Sequence, residues 1–182
     1  MHVRDVVQTS VMPEVSGEVR RGGRRDLIVM KPIGLVVSSR TEPVDDDWDA
    51  VTSRIELDAR ACGPESVQGL DEFSHVEVVY VFDRVKESAA KASARHPRGN
   101  KDWPSVGIFA QRAKDRPNRI GVSVCELLGV EALTLTVRAL DAIDGSPVLD
   151  IKPYMPEFAP RGEIRQPRWS RELMAGYWTL SP

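Results

Sequence analysis

The stretch HVEVVYVF, residues 75–82, decides the fold. Every position except His75 and Glu77 is apolar, and each apolar residue is β-branched or aromatic. Side chains of that kind suit a pleated surface, and the run reads as a central strand. ALTLTVRAL, 132–140, alternates with Leu133, Leu135, Val137 and Ala139 on one face, and SRIELDA, 53–59, does so with Ile55, Leu57 and Ala59. Period-two alternation is the mark of a half-buried strand. SVGIFAQ (105–111), GVSVCELLGV (121–130) and VLDI (148–151) read as further strands, and LIVMKPIGLVVSS (27–39) as one broken by Pro32 and Gly34.

Helical signals are few. PESVQGL, 64–70, opens on proline and predicts a single turn. ESAAKASA, inside the long loop 84–104, predicts a short helix, and SRELMAGYW predicts one of about two turns capped by Ser170. Closely spaced strands, turn signals between them and few helices predict an all-β-dominated chain. Its mostly antiparallel sheet closes into a barrel with short peripheral helices. Neither βαβ alternation nor a GxGxxG fingerprint occurs, so a doubly wound nucleotide fold is unsupported. Residues 1–25 are polar and end in SGEVRRGGRR, which predicts a flexible N-terminal extension. Residues 26–182 are expected to form one domain with a C-terminal helical tail, a size that buries a real core.

No apolar run approaches the ~20 residues that a membrane helix needs, and MHVRDVVQTS lacks the apolar centre of a secretory leader. A cytoplasmic location with no membrane partner is the expectation. Two cysteines and three histidines, without CxxC or HxxxH spacing, predict no metal site. Cys125, inside an apolar run, reads as a small buried hydrophobe.

Charge is uneven. Residues 42–58 carry seven acidic side chains against Arg54 alone, whereas 84–119 carry ten Lys or Arg against three acidic residues. A second basic run spans 161–171. A near-neutral total can therefore hide a basic face for an anionic partner.

Three places carry candidate chemistry. In FAQRAKDRPNRIGVSV, 109–124, Arg112, Arg116 and Arg119 surround Pro117 and Asn118. Guanidinium groups donate paired hydrogen bonds to planar anions, and an amide can read a base edge. In LDAIDGSPVLDIKPYMPEF, 140–158, the DGSP turn joins two strands, while Asp141, Asp144 and Asp150 cluster beside Lys152. Carboxylates can hold ribose hydroxyls or an ammonium group, though DGSP is already a complete turn. His75, at the mouth of the central strand, is the third. No triad order for a hydrolase accompanies it.

Taken together, GLDEFSHVEVVYVF, VGIFAQR, RPNRIGVSV and LDAIDGSPVLDIKPY, in this order across roughly 31–158, resemble the TsaA-like family, also called the VirR/YaeB family. The resemblance implies a β-barrel that binds S-adenosylmethionine, a homodimer, and methylation of N6-threonylcarbamoyladenosine beside the tRNA anticodon. It places cofactor contacts at Phe82, Asp83, Arg112, Val122, Leu140, Asp141 and Asp144. Arg112 would hold a carboxylate, Phe82, Val122 and Leu140 would cover an adenine ring, and Asp141 would hold ribose or the amino group. Asp144 and His75 are candidates to assist the departure of a proton. Arg116, Asn118, Arg119, Trp103 and Lys152 are candidates to hold the acceptor, with Trp103 stacking on a base.

The chain departs from the family's usual pattern at Asp83 (commonly His), Glu77 (Trp) and Arg119 (Pro). HPRGNKDWPS stands where the bacterial enzymes carry a longer loop. These changes keep two other readings open: methyl transfer to a small metabolite or peptide, and a non-catalytic barrel that binds a nucleotide-like ligand.

Overall fold

The computed structural model describes residues 15–21, 24–90 and 92–178. Among them the chain forms β1 (Val15–Arg21), β2 (Arg24–Met30), β3 (Gly34–Ser38), β4 (Thr52–Leu57), β5 (His75–Val81), β6 (Ile120–Glu131), β7 (Thr134–Arg138), β8 (Pro147–Pro153) and one helix, α1 (Arg168–Leu173). Strands β3 to β8 close an antiparallel barrel in the order β3-β4-β7-β6-β5-β8, with β3 pairing back on β8.

The barrel follows from the alternation read in the sequence. Ile55 on β4, Val76, Val78 and Tyr80 on β5, Cys125 on β6, and Leu135 and Val137 on β7 all point inward and form one core with Val36, Leu140 and Val148. Burial of each large aliphatic side chain there contributes about 1.5–3 kcal/mol. Closure leaves these strands no free edge, which suits a small β domain. The core thiol of Cys125 is pushed up to about 12, first by burial and then by the nearby Asp141 charge, so it behaves as a hydrophobe.

Several expectations change in detail. Residues 1–14 of the expected extension lie outside the described residues, but Val15–Arg21 and Arg24–Met30 pair as a β-ribbon separate from the barrel. SVGIFAQ is not a strand. Val106 makes a single bridge to Arg95, and Ile108–Ala110 is a 3-10 turn. Ile108, only 1% exposed, anchors that turn, and the Gln111 side-chain amide donates to the Val106 carbonyl at 2.9 Å, beside the bridge bond from the Arg95 backbone N–H. Apolar residues here pin a loop rather than line a sheet.

ESAAKASA yields only a 3-10 turn at Glu87–Ala89. The last helix begins one turn earlier than expected, with Pro167 rather than Ser170 at its N-cap. Ala139 leaves the β7 pattern because it adopts a positive φ of 63° as the chain turns away.

The acidic and basic segments meet. Arg98 pairs with Asp46 at 2.7 Å and approaches Asp45 at 3.7 Å, and Lys114 approaches Asp45 at 3.9 Å. Arg95 forms an ion pair with Asp115. Part of the basic surplus is therefore neutralised within the fold.

Candidate active site

The Val81 end of β5 builds the site. Tyr80 faces inward on β5 and is 1% exposed. Beside it the β5–β8 register shifts, so that Val79 pairs with Asp150 and Tyr80 with Val148. A bulge of this kind re-aims side chains. Opposite Tyr80 in the register stands Gly121. A Cβ at Gly121 would lie 2.3 Å from Tyr80 Cζ, so only glycine lets the phenol ring occupy that space.

The freed ring reaches Asp141. Tyr80 Oη donates to Asp141 Oδ1 at 2.7 Å and lies 2.9 Å from the Asp141 carbonyl. Ser123 Oγ, two residues along β6 from Gly121, also donates to Oδ1, and Tyr177 Oη donates to Oδ2 at 2.6 Å. Hydrogen bonds from hydroxyls to a charged acceptor are the stronger kind. Burial, followed by the Asp141 charge, pushes both phenols well up, so Tyr80 and Tyr177 remain protonated donors at neutral pH.

Asp141 faces a cleft of about 360 Å³. Phe82, Phe109, Ile120 and Val122 give it apolar walls, and Arg112, Arg116 and Asn118 give it polar ones. Phe109 is 76% exposed, and the Arg116 guanidinium lies over its ring at 5.8 Å. Arg112 uses one nitrogen on the Val122 carbonyl and is otherwise exposed, so its remaining donors are available to a ligand. The cleft thus combines an anion-binding guanidinium, a flat apolar wall and a fixed carboxylate. Its volume falls in the ~300–1,000 Å³ range of small-molecule sites.

Among the expected site residues, the cleft gathers Phe82, Arg112, Val122, Asp141, Arg116 and Asn118. The others lie elsewhere. Leu140 is fully buried in the barrel core and does not line the cleft. Asp144 serves the DGSP turn: its Oδ1 accepts from the Ser38 backbone N–H at 3.0 Å, and its carbonyl accepts from Arg84 at 3.0 Å. Asp83 is exposed beyond the end of β5.

His75 is exposed at the far end of β5, bonded through Nδ1 to Ser74 Oγ at 2.9 Å. Five residues of strand separate it from Tyr80, on the order of 17 Å. Lys152 is ion-paired with Asp150, and its register partner is Glu77, toward that same far end. Arg119 ties the loop to the Val85 carbonyl at 2.8 Å, and Trp103 donates through Nε1 to Glu172 at 2.9 Å.

Sequence reasoning missed Tyr80, Gly121, Ser123 and Tyr177. The pattern Gly121-x-Ser123-x-Cys125 was visible as small residues on the inward face of a strand. Small inward residues signal a large neighbour, here a tyrosine on the adjoining strand.

The fold and site define a class: a closed antiparallel barrel with a mixed polar and apolar cleft at one mouth. The comparisons give that class a family. Residues 40–159 match the family described as the tRNA-methyltransferase O N-terminal domain, and this chain belongs to it. A probable S-adenosyl-L-methionine-binding protein of Pyrococcus abyssi is 37% identical over 142 residues, covering 76% of this chain and 74% of that protein. The tRNA (adenine(37)-N6)-methyltransferase of Escherichia coli is 41% identical over 98 residues, covering 50% of this chain but 40% of the enzyme. The crystal structure of TrmO from Pseudomonas aeruginosa superposes with a TM-score of 0.62 at 32% identity, covering 77% of this chain and 60% of that one. The chain thus covers 40% of the Escherichia coli enzyme and 60% of the TrmO chain, less than two thirds of either.

Proposed function

We propose that this chain is an S-adenosylmethionine-dependent methyltransferase that acts on adenosine in the tRNA anticodon loop, with N6-threonylcarbamoyladenosine as the acceptor. The observation that carries this reading is the Asp141 cleft, which lies within the matched region and whose donors and acceptors fit the ligand. When bound, S-adenosylmethionine supplies an electrophilic methyl group on a sulfonium.

The chain's own residues have separable tasks. Arg112 holds a carboxylate through its free donors. Phe82, Ile120 and Val122 cover the flat ring. Asp141 accepts from a ligand hydroxyl or ammonium group while three protein hydroxyls fix its orientation. Arg116 and Asn118, at the rim, meet the acceptor. Alignment of donor and acceptor accounts for much of the acceleration in such a displacement. With Asp144 engaged by the DGSP turn and His75 at the far end of β5, neither of these two groups lines the cleft.

The same reading includes a homodimer and a cytoplasmic setting. Among the described residues no helix is long and apolar enough to cross a membrane. A second reading, methylation of a small metabolite or peptide, draws support from one observation: a relative covered over 74% of its length is named for cofactor binding alone.

The test is transfer of labelled methyl from S-adenosylmethionine to tRNA carrying the threonylcarbamoyl group, beside tRNA lacking it. Label on the first alone is expected. Label on neither, with uptake by a small-molecule fraction, overturns the tRNA reading.

A further inference from the structure

The matched family region ends at residue 159, but one donor to Asp141 comes from beyond it. After α1 the chain runs back as a strap along the acidic loop. The backbone N–H groups of Asp47, Trp48 and Asp49 donate to the carbonyls of Gly176, Tyr177 and Trp178 at 3.4, 3.1 and 3.0 Å. The platform beneath the strap is firm. Trp48 is buried, the Arg40 guanidinium lies over its ring at 4.4 Å, and Arg40 also donates to the carbonyls of Asp46 and Asp47. Three consecutive pairings hold Tyr177 in place, and its hydroxyl reaches Asp141 Oδ2 at 2.6 Å.

An ionised carboxylate has about four acceptor positions. Tyr80 and Ser123 occupy two on Oδ1, and Tyr177 occupies one on Oδ2. Among the described residues one position on Oδ2 is left, on a side chain that lines the cleft. Tyr177 itself does not line the cleft, so it acts only through Asp141. Without its bond, Oδ2 has no donor among the described residues and the carboxylate can rotate about its last torsion.

We propose that Tyr177, delivered by the strap 174–178, is a positioning residue of the donor site: it leaves Asp141 one directed acceptor for a hydroxyl or ammonium of the methyl donor. The site of this chain is therefore completed by a segment outside the family domain. This inference rests on the reading of the cleft as the donor site.

Calorimetric titration of the full chain with S-adenosylhomocysteine tests it, beside Tyr177→Phe and a chain ending at residue 173. The full chain binds. Tyr177→Phe, which keeps the ring and removes only the hydroxyl, binds roughly tenfold more weakly, the size expected for one hydrogen bond to a charged group. Its Tm stays within about 2 °C of the parent, and its KM for the tRNA acceptor is unchanged. The shortened chain binds at least as weakly as the Phe variant.

Equal affinity in all three proteins overturns the inference and leaves the donor-site reading intact. Weak binding by Tyr177→Phe accompanied by a large fall in Tm and a raised acceptor KM makes Tyr177 a structural residue and also overturns it. Failure of the full chain itself to bind removes the donor-site reading and the inference with it.

Discussion

The two ends of β5 carry similar inventories and differ in function. The His75 end has a histidine bonded to a serine hydroxyl, and a lysine in register with the Glu77 carboxylate, yet the histidine, serine and lysine are exposed and paired with near neighbours. The Tyr80 end has two phenols, a serine and a carboxylate, and they converge from β5, β6, the segment before the DGSP turn and the C-terminal strap on one point. Exposed pairs of the first kind contribute ~0–1 kcal/mol and hold no fixed geometry. Convergent, part-buried bonds hold a carboxylate in one orientation. The difference is burial and the number of elements that meet, rather than residue type.

The same contrast appears at shorter range between Asp141 and Asp144, three residues apart. Asp144 accepts from a backbone N–H and shapes a turn in which Gly145 adopts a φ of 80°. Asp141 accepts from side chains and faces the cleft.

The contrast is broken most severely by Gly121→Ala. The added methyl collides with the Tyr80 ring, displaces it from Asp141, and is expected to lower stability by about 1–3 kcal/mol while abolishing donor binding. Denaturant unfolding and titration with S-adenosylhomocysteine read the two effects. Arg112→Ala, on the exposed wall, should weaken binding by roughly 10- to 100-fold through loss of charge-assisted bonds with little change in Tm.

The two phenols predict a pH effect of known sign. Both have folded-state pKa values raised above the ordinary value of 10, chiefly by burial. Their contribution is present below pH 10 and is lost as pH rises above it, because the unfolded chain ionises first. Stability should fall above about pH 10, and Tyr80→Phe should flatten that fall. The smallest effect is expected at the other end of the strand, where His75→Ala should change donor affinity by less than about twofold, since surface substitutions away from a site rarely exceed ~0.5 kcal/mol.

The barrel was legible because its signal is local. Ile55, Val78, Leu135 and Val137 sit at period two, and each falls on the buried face that its neighbours in sequence imply. SVGIFAQ failed because apolar content cannot distinguish a paired strand from a loop pinned by Ile108. Arg112, Asn118 and Asp141 stood out because they lie in motifs of unusual composition, and the fold brings them to one cleft. Tyr177 was not, because its meaning depends on a fold-back of the tail onto Trp48, a contact between residues more than a hundred positions apart. His75 was expected from its chemical type and Asp144 also from the family resemblance, and the fold places both away from the cleft that Asp141 lines.

Asp141, rather than Asp144, is the carboxylate that holds the methyl donor in the proposed site. Binding of S-adenosylhomocysteine to Asp141→Asn and Asp144→Asn, measured side by side by calorimetry, tests it most directly. Asp141→Asn should lose roughly 10- to 100-fold in affinity, and Asp144→Asn should stay within about threefold of the parent, since less than ~1 kcal/mol is at stake there. Equal losses in the two variants, or a larger loss in Asp144→Asn, would contradict the account.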